Sequence, residues 1–158
     1  MIILGIDPGF ALTGWGIINK KSASSIHLVK YGCIETKAGL PSSTRLNKIF
    51  RTLTKLCQSH KPHALAMEDL FFNTNAKTAI KVGEARGVVI ISAAKLKIPI
   101  SHYTPLQVKQ AVTGYGRADK QQVQKMVKTL LSLKQIPKPD DSADALAVAI
   151  THAFTVKR

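Results

Sequence analysis

Apolar and polar positions alternate along this chain in two distinct rhythms. Residues 1–7 (MIILGID) form a short apolar run closed by an acid, which predicts a buried strand, and Pro8-Gly9 supplies the turn that follows. Residues 14–19 (GWGIIN) and 26–36 predict two further strands, separated by a polar stretch at 20–25. Three consecutive strands with short connections predict an antiparallel meander. The rhythm then changes. Leu46, Ile49, Phe50, Leu53, Leu56 and Cys57 recur at helical spacing, after candidate N-caps at Ser42, Ser43 and Thr44 and before a stop at Lys61-Pro62.

Residues 64–67 predict a fourth strand that ends at Glu68, and residues 73–97 a long helix. In that helix the small residues Ala76, Gly83 and Gly87 would permit another element, or a partner subunit, to approach closely. Residues 98–103 predict a fifth strand. Thr104-Pro105-Leu106-Gln107 is a capping-box pattern with Pro at the first helical position, and that helix should end near Gly114. Asp119 and Gln122 repeat the pattern ahead of Val123, Met126, Val127 and Leu130. Asp140 fits an N-cap after Pro139, for a last helix over 140–154 with Ala143, Leu146, Ala147 and Ile150 inward. The order β-β-β-α-β-α-β-α-α-α predicts an α/β fold in which a mixed sheet carries packed helices.

The length of 158 residues suits one domain spanning the chain, and no repeat or linker divides it. No apolar run is long enough for a membrane span, and the opening residues lack the basic region of a signal peptide, so a soluble, cytoplasmic protein is expected. The cysteines Cys33 and Cys57 have no partners at metal-ligand spacing and read as reduced core residues.

Charge narrows the partner. Twenty-three Lys and Arg against nine Asp and Glu give a formal +14, which favours a polyanion, nucleic acid first. Lys77, Lys81 and Arg86 on the predicted long helix are candidate contacts. The few acids stand out against this background. Asp7 and Glu68 each close an apolar strand, and Asp141 and Asp144 share one face of the last helix's first turn. Asp7 is the hardest to explain blandly, because an acid closing a buried strand needs a partner. The helix pair could simply complement the helix dipole. Asp119 reads as a cap, Glu35 and Glu84 as solvated, and Asp69 as a loop charge. If the four acids converge, their hard oxygens suit Mg²⁺ or Mn²⁺, and two such ions can promote in-line displacement at a phosphodiester.

Taken together, GIDPG (5–9) with GWG (14–16), MED (67–69) before Phe71-Phe72, GEARG (83–87) and DSADALAVAITH (141–152) resemble the RuvC family of crossover-junction endonucleases. The resemblance runs in order over nearly the whole chain. It implies an RNase H-like fold, with a five-stranded mixed sheet of three antiparallel strands then two parallel, flanked by helices. It also implies a homodimer that resolves four-way Holliday junctions in recombination and repair, together with the RuvA–RuvB branch-migration complex. On that likeness Asp7, Glu68, Asp141 and Asp144 are the metal ligands, for one or two Mg²⁺ per subunit with Mn²⁺ able to substitute. Some family members place His at the position of Asp141. Lys109 and Lys120 match lysines that aid catalysis or grip the scissile phosphate, and Lys120 follows the glycine-rich segment 114–117. Phe71 matches an aromatic that stacks on a junction base, with Phe72 as the competing ring. Tyr115 and Arg117 are further DNA-contact candidates, while Trp15 reads as core.

Two other readings stand beside this one. The GIDPG turn also occurs in sugar-kinase and chaperone ATPases, although those need two lobes around the nucleotide. A junction-binding scaffold without chemistry is the third, and the four well-placed acids argue against it.

Overall fold

The structure is a computed structural model that describes residues 1–22, 25–69 and 76–156, the side chains of Ala76 and Lys77 excepted. Five strands form one sheet in the order β3-β2-β1-β4-β5. The strands are β1 (Ile2–Asp7), β2 (Leu12–Lys20), β3 (Ile26–Glu35), β4 (Ala64–Glu68) and β5 (Ile100–Tyr103). Both β1–β2 and β2–β3 are antiparallel, and β1–β4 and β4–β5 are parallel, as expected. The helices are α1 (Ser42–His60), α2 (Ala76–Lys95), α3 (Pro105–Thr113), α4 (Lys120–Leu130) and α5 (Asp140–Thr155).

The period of two along each strand sorts side chains between two cores. Leu4 and Ile6 of β1, Trp15 and Ile17 of β2, and Leu65 and Met67 of β4 pack with Ile49, Leu53 and Cys57 of α1 and Ala85, Val89 and Ala93 of α2. Ile3, Ile18 and Ala66 face the other way, against Leu146 and Ile150 of α5, Val108 and Val112 of α3, and Val123 and Val127 of α4. Trp15 is therefore core, as its sequence context suggests.

Glycines in the sheet decide how near α5 comes. Gly5 and Gly16 are register partners on the α5 face. A Cβ on Gly5 would lie 2.0 Å from the Ala145 carbonyl oxygen, and one on Gly14 2.0 Å from that of Asp141. At Gly16 it would meet the Leu146 side chain at 2.5 Å. The helix thus rests almost on the strand backbones, and its residues are buried nearly all round, well beyond the one stripe its spacing predicts.

Several boundaries differ from expectation. β2 is longer at both ends, because its pairing with β3 runs from Leu12 to Lys20. α2 stops at Lys95 and β5 begins only at Ile100, since Lys97 takes a left-handed φ of 55° and the Ile98 N–H turns back to the Ala93 carbonyl. Pro41, not Ser42, Ser43 or Thr44, occupies the N-cap of α1, without a side-chain cap bond. Asp140 is likewise not a cap: Pro139 holds that place, and Asp140 is the first helical residue. The capping boxes Thr104–Gln107 and Asp119–Gln122 both form. Cys57 is buried, but Cys33 is only half-buried, its Sγ 3.1 Å from the Ser142 hydroxyl.

Candidate active site at the end of the central strands

The same parity that builds the cores aims the acids. Asp7 follows Ile3 and Gly5 on the α5 face of β1, and Glu68 follows Ala66 on the α5 face of β4. Ile6 pairs with Met67 in parallel register, so the two acids lie side by side one step further on. Opposite Asp7 in β2 is Gly14, and the backbone of Asp141 sits directly over that glycine. Asp144 stands one helical turn on from Asp141 on the same face of α5. Two strand ends and one helix start therefore bring four carboxylates together.

Their electrostatics follow from this placement. Burial pushes the Asp7 carboxyl up to about 7, and the negative charges of Asp144, Asp141 and Glu68 push in the same direction, against a smaller opposing pull from Lys120. Glu68 is also raised, by burial first and by Asp144, with Lys109 opposing. Burial raises Asp144 too, although Lys120 sits beside it with Nζ 3.0 Å from Oδ2. For Lys120, burial works against the charge, but the Asp144 hydrogen bond and the charges of Asp144 and Asp140 hold its pKa above the ordinary value.

The set fits a divalent cation by its chemistry. Every donor is a hard carboxylate oxygen, and burial together with neighbouring negative charge raises Asp7, Glu68 and Asp144. As the side chains stand, no three His, Cys, Asp or Glu groups among the described residues close around a single point. The Lys120 ammonium stands on the Asp144 side of the cluster.

A cavity of about 220 Å³ opens onto the site, lined by Glu68, Lys109, Lys120 and Asp144 over an apolar floor of Val108 and Val123. Both lysines expected to serve the chemistry thus line the same space as two of the acids. Asp140 lies outside this group. It is paired with Lys138 at 3.3 Å and Lys120 at 3.7 Å, and the Lys138 hydrogen bond holds its carboxyl below the usual range.

Arg86, expected among the DNA contacts, is instead turned inward. Its Nη1 donates to the Glu68 carbonyl, and its Nη2 donates to Asp69 Oδ1 at 3.0 Å and lies 2.7 Å from His102 Nδ1. The guanidinium is mostly buried and ties α2 to the end of β4 beside Glu68. Asp69, read from sequence as a loop charge, is the acid that anchors it. Lys81 is exposed on α2 with its Nζ 4.9 Å from the Phe10 ring centroid. Tyr115 and Arg117 are exposed in the α3–α4 connection that leads to Lys120. Phe71 and Phe72 lie outside the described residues, as does the side chain of Lys77.

Sequence reasoning passed over Arg45 and Phe10. Arg45 lies over the Phe10 ring at 4.2 Å, and its Nε donates to Thr36 Oγ1 at 2.8 Å. The one available signal was an arginine in α1, a helix with no acid to pair it.

The family model for "Crossover junction endodeoxyribonuclease RuvC" matches residues 3–152. A relative of that name from Desulforamulus reducens is 56% identical over 153 residues, covering 97% of this chain and 93% of its own. One from Caldicellulosiruptor saccharolyticus is 55% identical over 155 residues, with 98% and 93% covered. Among solved structures, Thermus thermophilus RuvC in complex with Holliday junction substrate superposes with a TM-score of 0.93 at 38% identity, covering 98% of this chain and 93% of that one. The yeast mitochondrial Holliday junction resolvase Ydc2, at 15% identity and a TM-score of 0.66, shares the fold. This is the RNase H-like arrangement of sheet and helices, and the match over nearly the whole length sets the chain apart from the ATPases that share its GIDPG turn. The chain belongs to the RuvC family of crossover junction endodeoxyribonucleases.

Proposed function

We propose that this protein is a divalent-metal-dependent DNA endonuclease that resolves four-way Holliday junctions in homologous recombination and repair. The observation that carries the reading is the convergence of Glu68, Asp141 and Asp144 on the buried Asp7, at the edge of a cavity lined by two lysines. Those four acids would hold Mg²⁺, with Mn²⁺ able to replace it, as one or two ions per subunit. Bound ions supply activation of a water and charge stabilisation for in-line displacement at a backbone phosphate.

The chain's own residues do the rest. Glu68 and Asp7 come from paired strands, so their spacing is set by the sheet and not by a loop. Lys120, from its place beside Asp144, is positioned to donate to a phosphate oxygen, and Lys109 balances Glu68 across the same cavity. Arg86 fixes the end of β4 and with it the aim of Glu68. The products would carry 5′-phosphate and 3′-hydroxyl ends.

Symmetric nicking needs two sites. The solvent face of α2 supports a homodimer: Ile80 is 65% exposed and Ile91 51%, with Ile90 also exposed, and a Cβ added at Gly83 or Gly87 would meet nothing within 4 Å among the described residues. These positions recur at helical spacing, so they share one side of α2, a stripe suited to its two-fold copy. The acidic sites of two such subunits would act on strands of like polarity. We place the protein in the cytoplasm as a single nuclease domain working with RuvA–RuvB, a reading supported by family membership. Among the described residues no helix is long and apolar enough to cross a membrane.

The direct test incubates a labelled synthetic four-way junction with the protein and Mg²⁺. Paired, symmetric, ligatable nicks are expected. A protein that binds the junction tightly but cuts it with neither Mg²⁺ nor Mn²⁺ refutes the proposal. Asp7→Asn should abolish cutting and leave binding intact. Ile91→Asp should convert a dimer to a folded monomer in sedimentation, and an unchanged sedimentation coefficient would remove α2 from the interface.

A further inference from the structure

A second groove reaches the acidic cluster at Asp141. Its volume is about 600 Å³, and Gly9, Phe10, Arg45, Lys81 and Val82 line it along with Asp141. At its centre the Phe10 ring, 7% exposed, carries two cations: Arg45 Cζ at 4.2 Å from the ring centroid and Lys81 Nζ at 4.9 Å. The ring quadrupole attracts each cation and holds it in place without neutralising it.

Arg45 is fixed further by neutral oxygens alone. Its Nε donates to Thr36 Oγ1 at 2.8 Å, and its Nη2 donates to the Phe10 and Thr36 carbonyls at 3.4 and 3.3 Å. No partner among the described residues occupies the Nη1 donors of the guanidinium. Among the described residues, neither Arg45 nor Lys81 has a carboxylate within ion-pair distance. Two like charges gathered on one ring beside an acidic centre, with no counter-ion among the described residues, form a ready acceptor for an external anion. A planar guanidinium already held by three hydrogen bonds loses little entropy on taking a phosphate.

We infer that Arg45 and Lys81, stacked on Phe10, form a phosphate-binding subsite that grips the backbone of the DNA strand where it passes the acids on the Asp141 side. This rests on the nuclease reading above and adds a second hold on the strand. The first is the lysine-lined cavity at Glu68 and Asp144, so the strand would be held from both approaches to the cut.

The test is junction binding by fluorescence anisotropy without divalent ions, across 50–300 mM salt. Each lost phosphate contact should reduce the slope of log K against log salt by about 0.9, roughly an eightfold loss of affinity at 0.1 M. Lys81→Gln, an exposed position, should lower the slope by about one contact. Lys81→Gln with Arg45→Gln should lower it by about two, and Arg45→Lys should restore part of the difference. A Lys81→Gln protein with unaltered melting temperature and unaltered slope overturns the inference, even if the arginine variants fail to fold. Wild-type protein that neither binds nor cuts the junction overturns the nuclease reading and this subsite with it. Wild-type cutting alongside an unchanged Lys81→Gln slope overturns the subsite alone.

Discussion

Glycine is used in opposite ways on the two sides of the sheet. On the α5 side, Gly5, Gly14 and Gly16 sit in strands, and a Cβ at any of them would collide with α5 at 2.0 to 2.5 Å. On the other side, Gly83 and Gly87 sit in α2, and a Cβ there would meet nothing within 4 Å. The first set is consumed by the chain's own packing: it lowers α5 onto the strands and brings Asp141 over β2. The second set is spare within one chain, and it lies among exposed isoleucines. A glycine already filled around builds the candidate active site; a glycine left open points to a surface that a second molecule would cover.

The contrast can be pushed hardest through charge on the α5 side. Asp7 has a folded-state pKa near 7 against an ordinary 3.8. The folded protein therefore holds that proton more tightly than the unfolded chain does. Its contribution is fully present below about pH 3.8 and is lost as pH rises toward 7, a change on the order of 4 kcal/mol for a shift of this size. Thermal melts in chelator should show the wild type losing stability between pH 4 and 7 relative to Asp7→Asn, with millimolar Mg²⁺ recovering most of the loss. Parallel curves for the two proteins would mean that the acids do not meet.

Next in size is Gly14→Ala. The added methyl lies against the Asp141 carbonyl, so α5 must lift, at a cost of about 3 kcal/mol in chemical denaturation. Cutting should fall even at temperatures where the protein stays folded, because Asp141 moves with the helix. Arg86→Gln comes third. It removes charge-assisted hydrogen bonds to Asp69 and to the β4 end, worth about 2 kcal/mol. Its signature is a weakened Mg²⁺ requirement curve, shifted to higher concentration, which Arg86→Lys should partly restore. The smallest effect is expected at Gly87→Ala. Exchange of glycine for alanine in an exposed helix stabilises the single chain by about 0.5–1 kcal/mol. If the α2 face is an interface, the same methyl weakens association in sedimentation while the monomer becomes more stable. A loss of monomer stability instead would dissolve the distinction between the two sets of glycines.

Much of the site was legible from residue order. Asp7 and Glu68 stood out because an acid that closes an apolar strand has no cheap explanation, and Asp141 with Asp144 because their spacing puts both on one helical face. The capping boxes at Thr104 and Asp119 were legible because their hydrogen bonds span only three residues. Asp140 was misread as a cap, because an acid after a proline looks like a helix start, whereas Pro139 itself holds the cap and Asp140 pairs with Lys138. The bracing contacts of Arg86 were hidden for a different reason, since their partners are distant in sequence. A basic residue on a predicted helix looks solvated until Asp69 and His102 arrive from other elements. Arg45 and Phe10 carried no signal beyond an arginine in an acid-free helix, since a cation over a ring is a contact between a loop and a helix 35 positions apart.

The sequence by itself determined the elements, their order, the mixed sheet and which acids had to be accounted for. Those depend on period, caps and turns, which act over a few residues. Only the tertiary structure decided that the four acids share one electrostatic environment, that Arg86 braces and Lys120 neutralises, and that α5 lies against bare strand backbone. Those outcomes depend on distances between segments far apart in the chain, and such distances are fixed by which side chains, or which missing side chains, let the layers close.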